Sequence, residues 1–347
     1  MAIVSNSLDI RGQVVEPIIE EILFENNTLG KGLVTFEDDV KANTVFTEGG
    51  AEATMQAWTS GIPTSSGSFN TWDYLVTPDK VMFYQEFDPE NLRFTRYKRS
   101  MKPGAWENFS TEFERVIIGG IYAKQISLSA ERNFWLGAKT QTISDIAALS
   151  AGVPGTADDT DNTKISVEEK AMVAASLGED GLFDGLLTKI LYNDSRPSGT
   201  AAVGERIKVI GTNITSANIK AEYDKVYQAI PAEVLQNGEK PIVYAPYSHA
   251  QFITIFNNNV ANFKDAFAVS GESYGFNGLT VEFVPIPENV ILCAKKSHLF
   301  WVTDLLSDVN TMKMDKIAAN REDYFIKSCM SEGAHVANQA FNVLYVG

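Results

Sequence analysis

From residue 14 to 26, Ile18, Ile19, Ile22 and Leu23 recur on one helical face and Pro17 suits a first turn, which predicts a short amphipathic helix in an N-terminal arm. Between Gly32 and Phe46 the pattern turns β-prone, with Val34, Phe36, Val40, Val45 and Phe46 marking an extended segment. Residues 42–80 read as a long β-hairpin turning near residues 65–68. Gly49-Gly50, Gly61, Pro63 and a serine-glycine cluster punctuate it, and Met55, Trp58, Ile62, Phe69 and Trp72 are large side chains with no intrachain sheet to cover them. A two-stranded hairpin this long is not stable alone in water and leaves two edges unpaired, so it requires a partner surface.

The strongest helical pattern runs from Thr111, spaced with Glu114 as a capping box, to Leu136, with Gly137 placed to stop it. At about 1.5 Å per residue it would span roughly 39 Å. Two of its faces want packing: Phe113, Ile117, Ile121, Leu128 and Trp135 on one line, and the mostly small Val116, Gly120, Ala123, Ser127, Ala130 and Phe134 on another. The adjacent Gly119 and Gly120 each cost roughly 1 kcal/mol relative to alanine inside a helix, so the pair is read as a hinge where the helix bends. The competing reading is that Gly120 lets another backbone approach closely. Residues 150–164, rich in breakers and acids, form a loop.

Beyond that loop helix and strand alternate, with helices over 182–192, 216–235 and 246–257 and strands over 241–245, 279–284 and 290–294, which predicts an α/β subdomain. After Asp304 the chain reads as strands, near 309–316, 323–330 and 340–346.

A chain of 347 residues exceeds what one core usually organises, so two packed subdomains are expected. Acids outnumber Lys and Arg by 44 to 29, which disfavours tight wrapping of nucleic acid, because phosphate neutralisation needs clustered cations; DNA nearby would be contained and not gripped. Cys293 and Cys329 lie in apolar runs without CxxC spacing and read as small buried hydrophobes in a reducing compartment. The first residues lack a secretory pattern and no apolar stretch reaches the length of a membrane span, so synthesis in the cytoplasm without a membrane partner is expected.

Catalytic anchors are missing from the sequence. His249, His298 and His335 are far apart and outside metal-ligand spacings, and read as solvated or hydrogen-bonded structural histidines. The nucleophile elbow, the phosphate loop and the dinucleotide fingerprint are absent. The acidic run Asp158, Asp159, Asp161, Asn162 places Lys164 and Lys170 where a calcium loop counted from Asp159 needs Gly and Glu, so it is a solvated loop. No catalytic residue, cofactor or metal site is therefore assigned. The basic stretch with Arg93, Arg96, Lys98, Arg99 and Lys102 could be a solvated face or a DNA contact, but a counter-charge for carboxylates of a neighbouring subunit is preferred.

An N-terminal arm, a charge-poor hairpin, a long helix, an α/β subdomain and final strands follow one another in an order that resembles the major capsid proteins of tailed bacteriophages with the Hong Kong 97 type of fold. The local match is closest from Ala42 to Leu136, where the passage Trp72 to Pro89 looks like the return of the family's E-loop hairpin into its P-domain. The resemblance implies an α+β fold with an N-arm (1–41), an E-loop (42–80), a P-domain with a long spine helix (81–149), an α/β A-domain (150–303) and closing P-domain strands (304–347).

The same resemblance implies self-assembly into pentamers and hexamers of an icosahedral shell around double-stranded DNA, with a portal and with scaffolding or decoration proteins as partners. It also gives a use to Gly119-Gly120, since the family's spine helix bends and straightens as shells expand. Two departures stand out. The hairpin carries no lysine for the covalent cross-link of some relatives, and the short arm starting at Met1 suggests no protease-removed extension. A bacterial nanocompartment shell with the same fold is the alternative, ahead of a tail-tube subunit or an α/β hydrolytic enzyme working from residues 180–300.

Overall fold

The computed structural model describes residues 27–41, 44–53, 55–62, 64–65, 67–88, 122–149, 164–177, 181–192, 206–236, 238–259, 266–270, 273–304, 312–317 and 323–347. The expected arm helix at 14–26, the capping box at Thr111 and Glu114, Gly119-Gly120, the basic stretch 93–102 and all but the last residue of the loop 150–164 lie outside the described residues. In chain order the first elements are α1 (Asn27–Gly30), β1 (Thr35–Glu37), β2 (Thr44–Ala53), β3 (Gly67–Val76), β4 (Asp79–Phe87), α2 (Ala123–Leu136) and α3 (Thr140–Ala148). Then come α4 (Val167–Ser176), α5 (Leu186–Leu191), β5 (Ile207–Ile210), α6 (Ile219–Ala229), α7 (Ala232–Gln236), β6 (Ile242–Pro246), α8 (Ser248–Asn259) and β7 (Phe267–Ser270). The last are β8 (Ser273–Phe276), β9 (Leu279–Val284), β10 (Val290–Ala294), β11 (Leu299–Val302), β12 (Met312–Lys316), β13 (Tyr324–Val336) and β14 (Val343–Val346).

The unbroken apolar run of β10 has a direct cause: the strand is central in a seven-stranded sheet ordered β5-β14-β10-β6-β9-β8-β7, and both of its faces are covered. Ile291 and Cys293 point into a core with Ile219, Tyr223 and Val226 of α6 and Ile253 of α8. Val290, Leu292 and Ala294 point the other way, into a larger core with Phe134 and Trp135 of α2 and Leu187 and Ile190 of α5. The single helix expected over 216–235 is broken into α6 and α7, because Pro231 cannot supply the backbone N–H that a continuing helix needs.

A second sheet runs β1-β11-β13-β12, with β4 added on β13. The strand β13 organises it, pairing with β4 from Tyr324 to Glu332 and with β11 from Gly333 to Val336. Residues after Asp304 therefore do not form one closing sheet. While β12 and β13 join β4, the terminal strand β14 pairs with β10 and β5 in the other sheet, where all four of its side chains are buried.

Helix α2 packs between the two sheets. Phe134 stacks on Trp301 of β11 with ring centroids 4.2 Å apart, and Trp135 meets Tyr244 of β6 at 5.4 Å. The indole of Trp135 donates to Thr28 Oγ1 at 2.9 Å, and Thr28 donates its own hydroxyl and backbone N–H to Glu131 Oε1, which ties α1 to α2. The helix ends at Leu136 as expected, but Gly137 is not left-handed (φ −56°, ψ 140°). It is needed for close approach, since a Cβ there would lie 2.5 Å from the carbonyl oxygens of Asn133 and Phe183.

The ion pair of Arg206 with Glu169 is fully buried. Ser166 and Glu169 close a capping box at the start of α4, and Glu169 also accepts from Arg206 Nε at 3.1 Å and from its terminal nitrogen. That same terminal nitrogen donates to Lys164 O at 3.3 Å, and both side chains are fully buried.

Candidate assembly surface

Strands β2 and β3 pair only with each other among the described residues, in register from Thr44↔Val76 to Ala53↔Gly67. The hairpin is anchored at its root. Tyr74 and Val76 are buried, and Phe46 packs against Phe300 and His335 with ring centroids at 5.8 and 5.2 Å. Glu48 Oε1 accepts from Asn338 N at 3.3 Å, and Thr47 Oγ1 donates across the ladder to Asp73 Oδ1 at 2.7 Å. Burial, with repulsion from Lys189, holds the His335 imidazole down at about 4, so this ring packs as a neutral aromatic.

Past Glu48 the ladder leaves the body of the molecule. The turn does not fall at residues 65–68, since Ala53 pairs with Gly67 as the last rung of the ladder; between them Gln56 Nε2 donates to Thr64 O at 2.9 Å. The serine-glycine cluster supplies the start of β3 and not the turn, because the ten-pair register carries pairing as far as Gly67.

The five side chains picked out from the sequence all lie on this projection. Met55 and Ile62 are fully exposed, Trp58 is 88% exposed, Phe69 73% and Trp72 45%. Val45 and Leu75, a directly opposed pair, add to the exposed apolar surface. No Lys or Arg falls between Lys41 and Lys80, so nothing on the hairpin offers a cation to solvent. An apolar projection of this kind is the signature of a surface made to be covered. The other site residues expected from sequence, Arg93, Arg96, Lys98, Arg99, Gly119 and Gly120, lie outside the described residues.

A second feature was not legible in the sequence. Alternation along β13 buries Ser328 and Met330 and turns Cys329 outward, opposite the exposed Met82 of β4. The reading of Cys329 as a buried hydrophobe is thus corrected, whereas Cys293 is buried and its thiol is pushed up to about 12 by desolvation. On the inner face of the same ladder a cleft of about 290 Å³ opens between β4, β13 and α2. Val81, Ile126, Ala130, Met330 and Glu332 form its buried floor, and Gln125, Ser129 and Leu182 stand exposed around its mouth.

Glu332 is 3% exposed, and its Oε1 has no hydrogen-bond partner among the described residues. Desolvation pushes its carboxyl up to about 7 from an ordinary 4.5. The folded subunit therefore holds this proton more tightly than the unfolded chain, and stability falls as pH rises from about 4.5 through 7. Glu332→Gln is expected to stabilise the subunit by about 3 kcal/mol at pH 8 and hardly at all at pH 4.5, from 2.5 pH units at about 1.4 kcal/mol each. Urea unfolding midpoints of the monomeric protein at the two pH values check this; an equal shift at both would refute it.

The three histidines are structural, but none is solvated. His249 lies between Tyr223 Oη at 3.0 Å and Glu288 O at 2.9 Å, so Nε2 donates to the carbonyl and Nδ1 accepts from the tyrosine. Burial lowers its pKa to about 4. His298 Nδ1 sits 3.1 Å from Asn342 Oδ1. Among the described residues no cluster of three His, Cys, Asp or Glu could hold a metal, and no helix is long and apolar enough to cross a membrane.

No protein-family model and no curated protein sequence matches the chain. Solved structures share its fold from end to end. A chain of the satellite phage P4 procapsid including the size determination (Sid) protein is similar with a TM-score of 0.51 at 12% identity, covering 99% of this chain and 93% of that one. A chain of the capsid of a native GTA particle gives a TM-score of 0.51 at 11% identity, covering 100% and 95%. The α+β capsid fold expected from the order of elements is the fold of this chain.

Proposed function

We propose that this chain, which has the fold of phage capsid subunits, is the structural subunit of an icosahedral viral shell and assembles with itself into pentamers and hexamers around double-stranded DNA. The observation that carries the reading is the hairpin: a ten-pair ladder rooted in the body, bearing Met55, Trp58, Ile62 and Phe69 in solvent, with nothing among the described residues to cover them. Met55, Trp58, Ile62, Phe69 and Trp72 are intersubunit contacts in this reading. Arg93, Arg96, Lys98 and Arg99 offset the like-charge repulsion between subunits of net charge −15, and Gly119-Gly120 is the hinge of the long helix. The same acidity suits a shell that contains DNA without gripping it.

Electron microscopy of the purified protein tests the proposal. Closed shells or capsomer rings are expected, and a compact monomer under every assembly condition would overturn it. Nuclease-protected DNA inside particles from infected cells separates a genome container from a cargo compartment.

Shell cohesion is expected to be noncovalent, because the hairpin lacks a lysine nucleophile. Boiling particles in detergent with a reductant, which removes any bridge through the exposed Cys329, should release monomer-sized protein. A ladder of oligomers surviving that treatment would count against the assignment.

A further inference from the structure

We propose that the cleft between α2 and the β4–β13 ladder is the socket for Trp58 of a second copy of this chain, whose indole N–H donates to Glu332. This rests on the hairpin being an intersubunit element and names where its tip goes. The two halves of the contact are complementary in chemistry. The cleft has apolar walls in Val81, Ile126, Ala130 and Met330, and its floor includes Glu332, whose buried Oε1 has no partner among the described residues. Its volume of about 290 Å³ accommodates an indole.

Among the exposed large apolar side chains of the tip, Met55, Trp58 and Ile62, only Trp58 combines an apolar body with a hydrogen-bond donor. Buried indoles find such a partner, and a buried acceptor left unpaired is costly. A carboxyl held near neutrality serves either way, since both its charged and its protonated forms keep a lone pair for the indole.

The chain's own tip cannot reach its own cleft. The ladder from Thr44↔Val76 to Ala53↔Gly67 carries the tip roughly 30 Å from its root at about 3.3 Å per residue. Val81, on the cleft floor, lies just past that root at the start of β4. Folding back would break the ladder, so the donor comes from a neighbour.

The test uses assembled particles and dissociated subunits of the full chain. The emission of Trp58, obtained as the difference between wild type and Trp58→Phe, is expected to move to shorter wavelength and lose its quenching by acrylamide on assembly. Glu332→Leu, which removes the acceptor, is expected to raise the subunit concentration needed for shells about tenfold, while Glu332→Gln, which keeps it, does not. Ser129→Phe, placed at the exposed mouth on α2, should weaken assembly without altering subunit unfolding, which guards against a floor variant that fails to fold. Shells that form with Trp58 as quenchable as in free subunits, or that form equally well from Ser129→Phe, would overturn the socket and leave the shell reading standing. Absence of shells from the wild-type protein would overturn the shell reading itself.

Discussion

Replacing Met55, Trp58, Ile62 and Phe69 together with serine is expected to abolish shell assembly while leaving the thermal unfolding of the free subunit unchanged. In the free chain these side chains already stand in water, so their removal takes nothing from the core. On assembly each buried large apolar side chain contributes about 1.5–3 kcal/mol. Four of them per subunit, repeated around every capsomer, exceed the margin on which most associations rest, since about 1.4 kcal/mol is tenfold in affinity. The ladder itself survives because its register depends on the root, where Phe46, Tyr74 and Val76 are untouched. Sedimentation and electron microscopy read the assembly, and calorimetry of subunits reads the fold. Normal shells from the quadruple variant would remove the hairpin from any role in cohesion.

The second large effect lies far from any contact surface. Arg206→Met is expected to destabilise the subunit by about 3–5 kcal/mol, because it strands the Glu169 carboxylate in a site with no access to water. Lys164 O loses a donor at the same time. Against a total of about 5–15 kcal/mol this is a severe loss, and yield as well as denaturant midpoint should fall. Adding Glu169→Gln should recover much of it, since the amide oxygen can still accept from Ser166 N and the buried charge is gone. A single variant within 1 kcal/mol of wild type, or a double variant no better than the single, would show that the pair is not the clamp between α4 and the strand β5 that follows Arg206.

Period and punctuation made much of the architecture readable along the chain. The hairpin announced itself by large apolar residues among glycines and serines without a single cation, and every large side chain it was expected to expose is exposed. Strands β9 and β10 followed from short β-prone runs, and Gly137 correctly marked the end of α2. These are local properties: periodicity, turn chemistry and a missing donor act within a few residues, so a one-dimensional pattern records them.

What the tertiary structure alone decided are the long-range partnerships. Nothing local says that β14 crosses to the sheet of β10 while β13 stays with β4, because the edge that receives each strand belongs to residues far away in the chain. Cys329 lies in an apolar run, yet faces outward because the register of β13 against β4 places Ser328 and Met330 inside. Gly137 was placed by a rule about left-handed backbones and is retained for another reason, the approach of the Asn133 and Phe183 carbonyls. The cleft over Glu332 is assembled from β4, α2 and β13, separated by tens to hundreds of residues. Sequence determined which segments are strand, helix or uncovered apolar projection, since those follow from local sterics and solvation; only folding, by choosing which faces meet, decided which carboxylate would be buried with an oxygen unpartnered among the described residues.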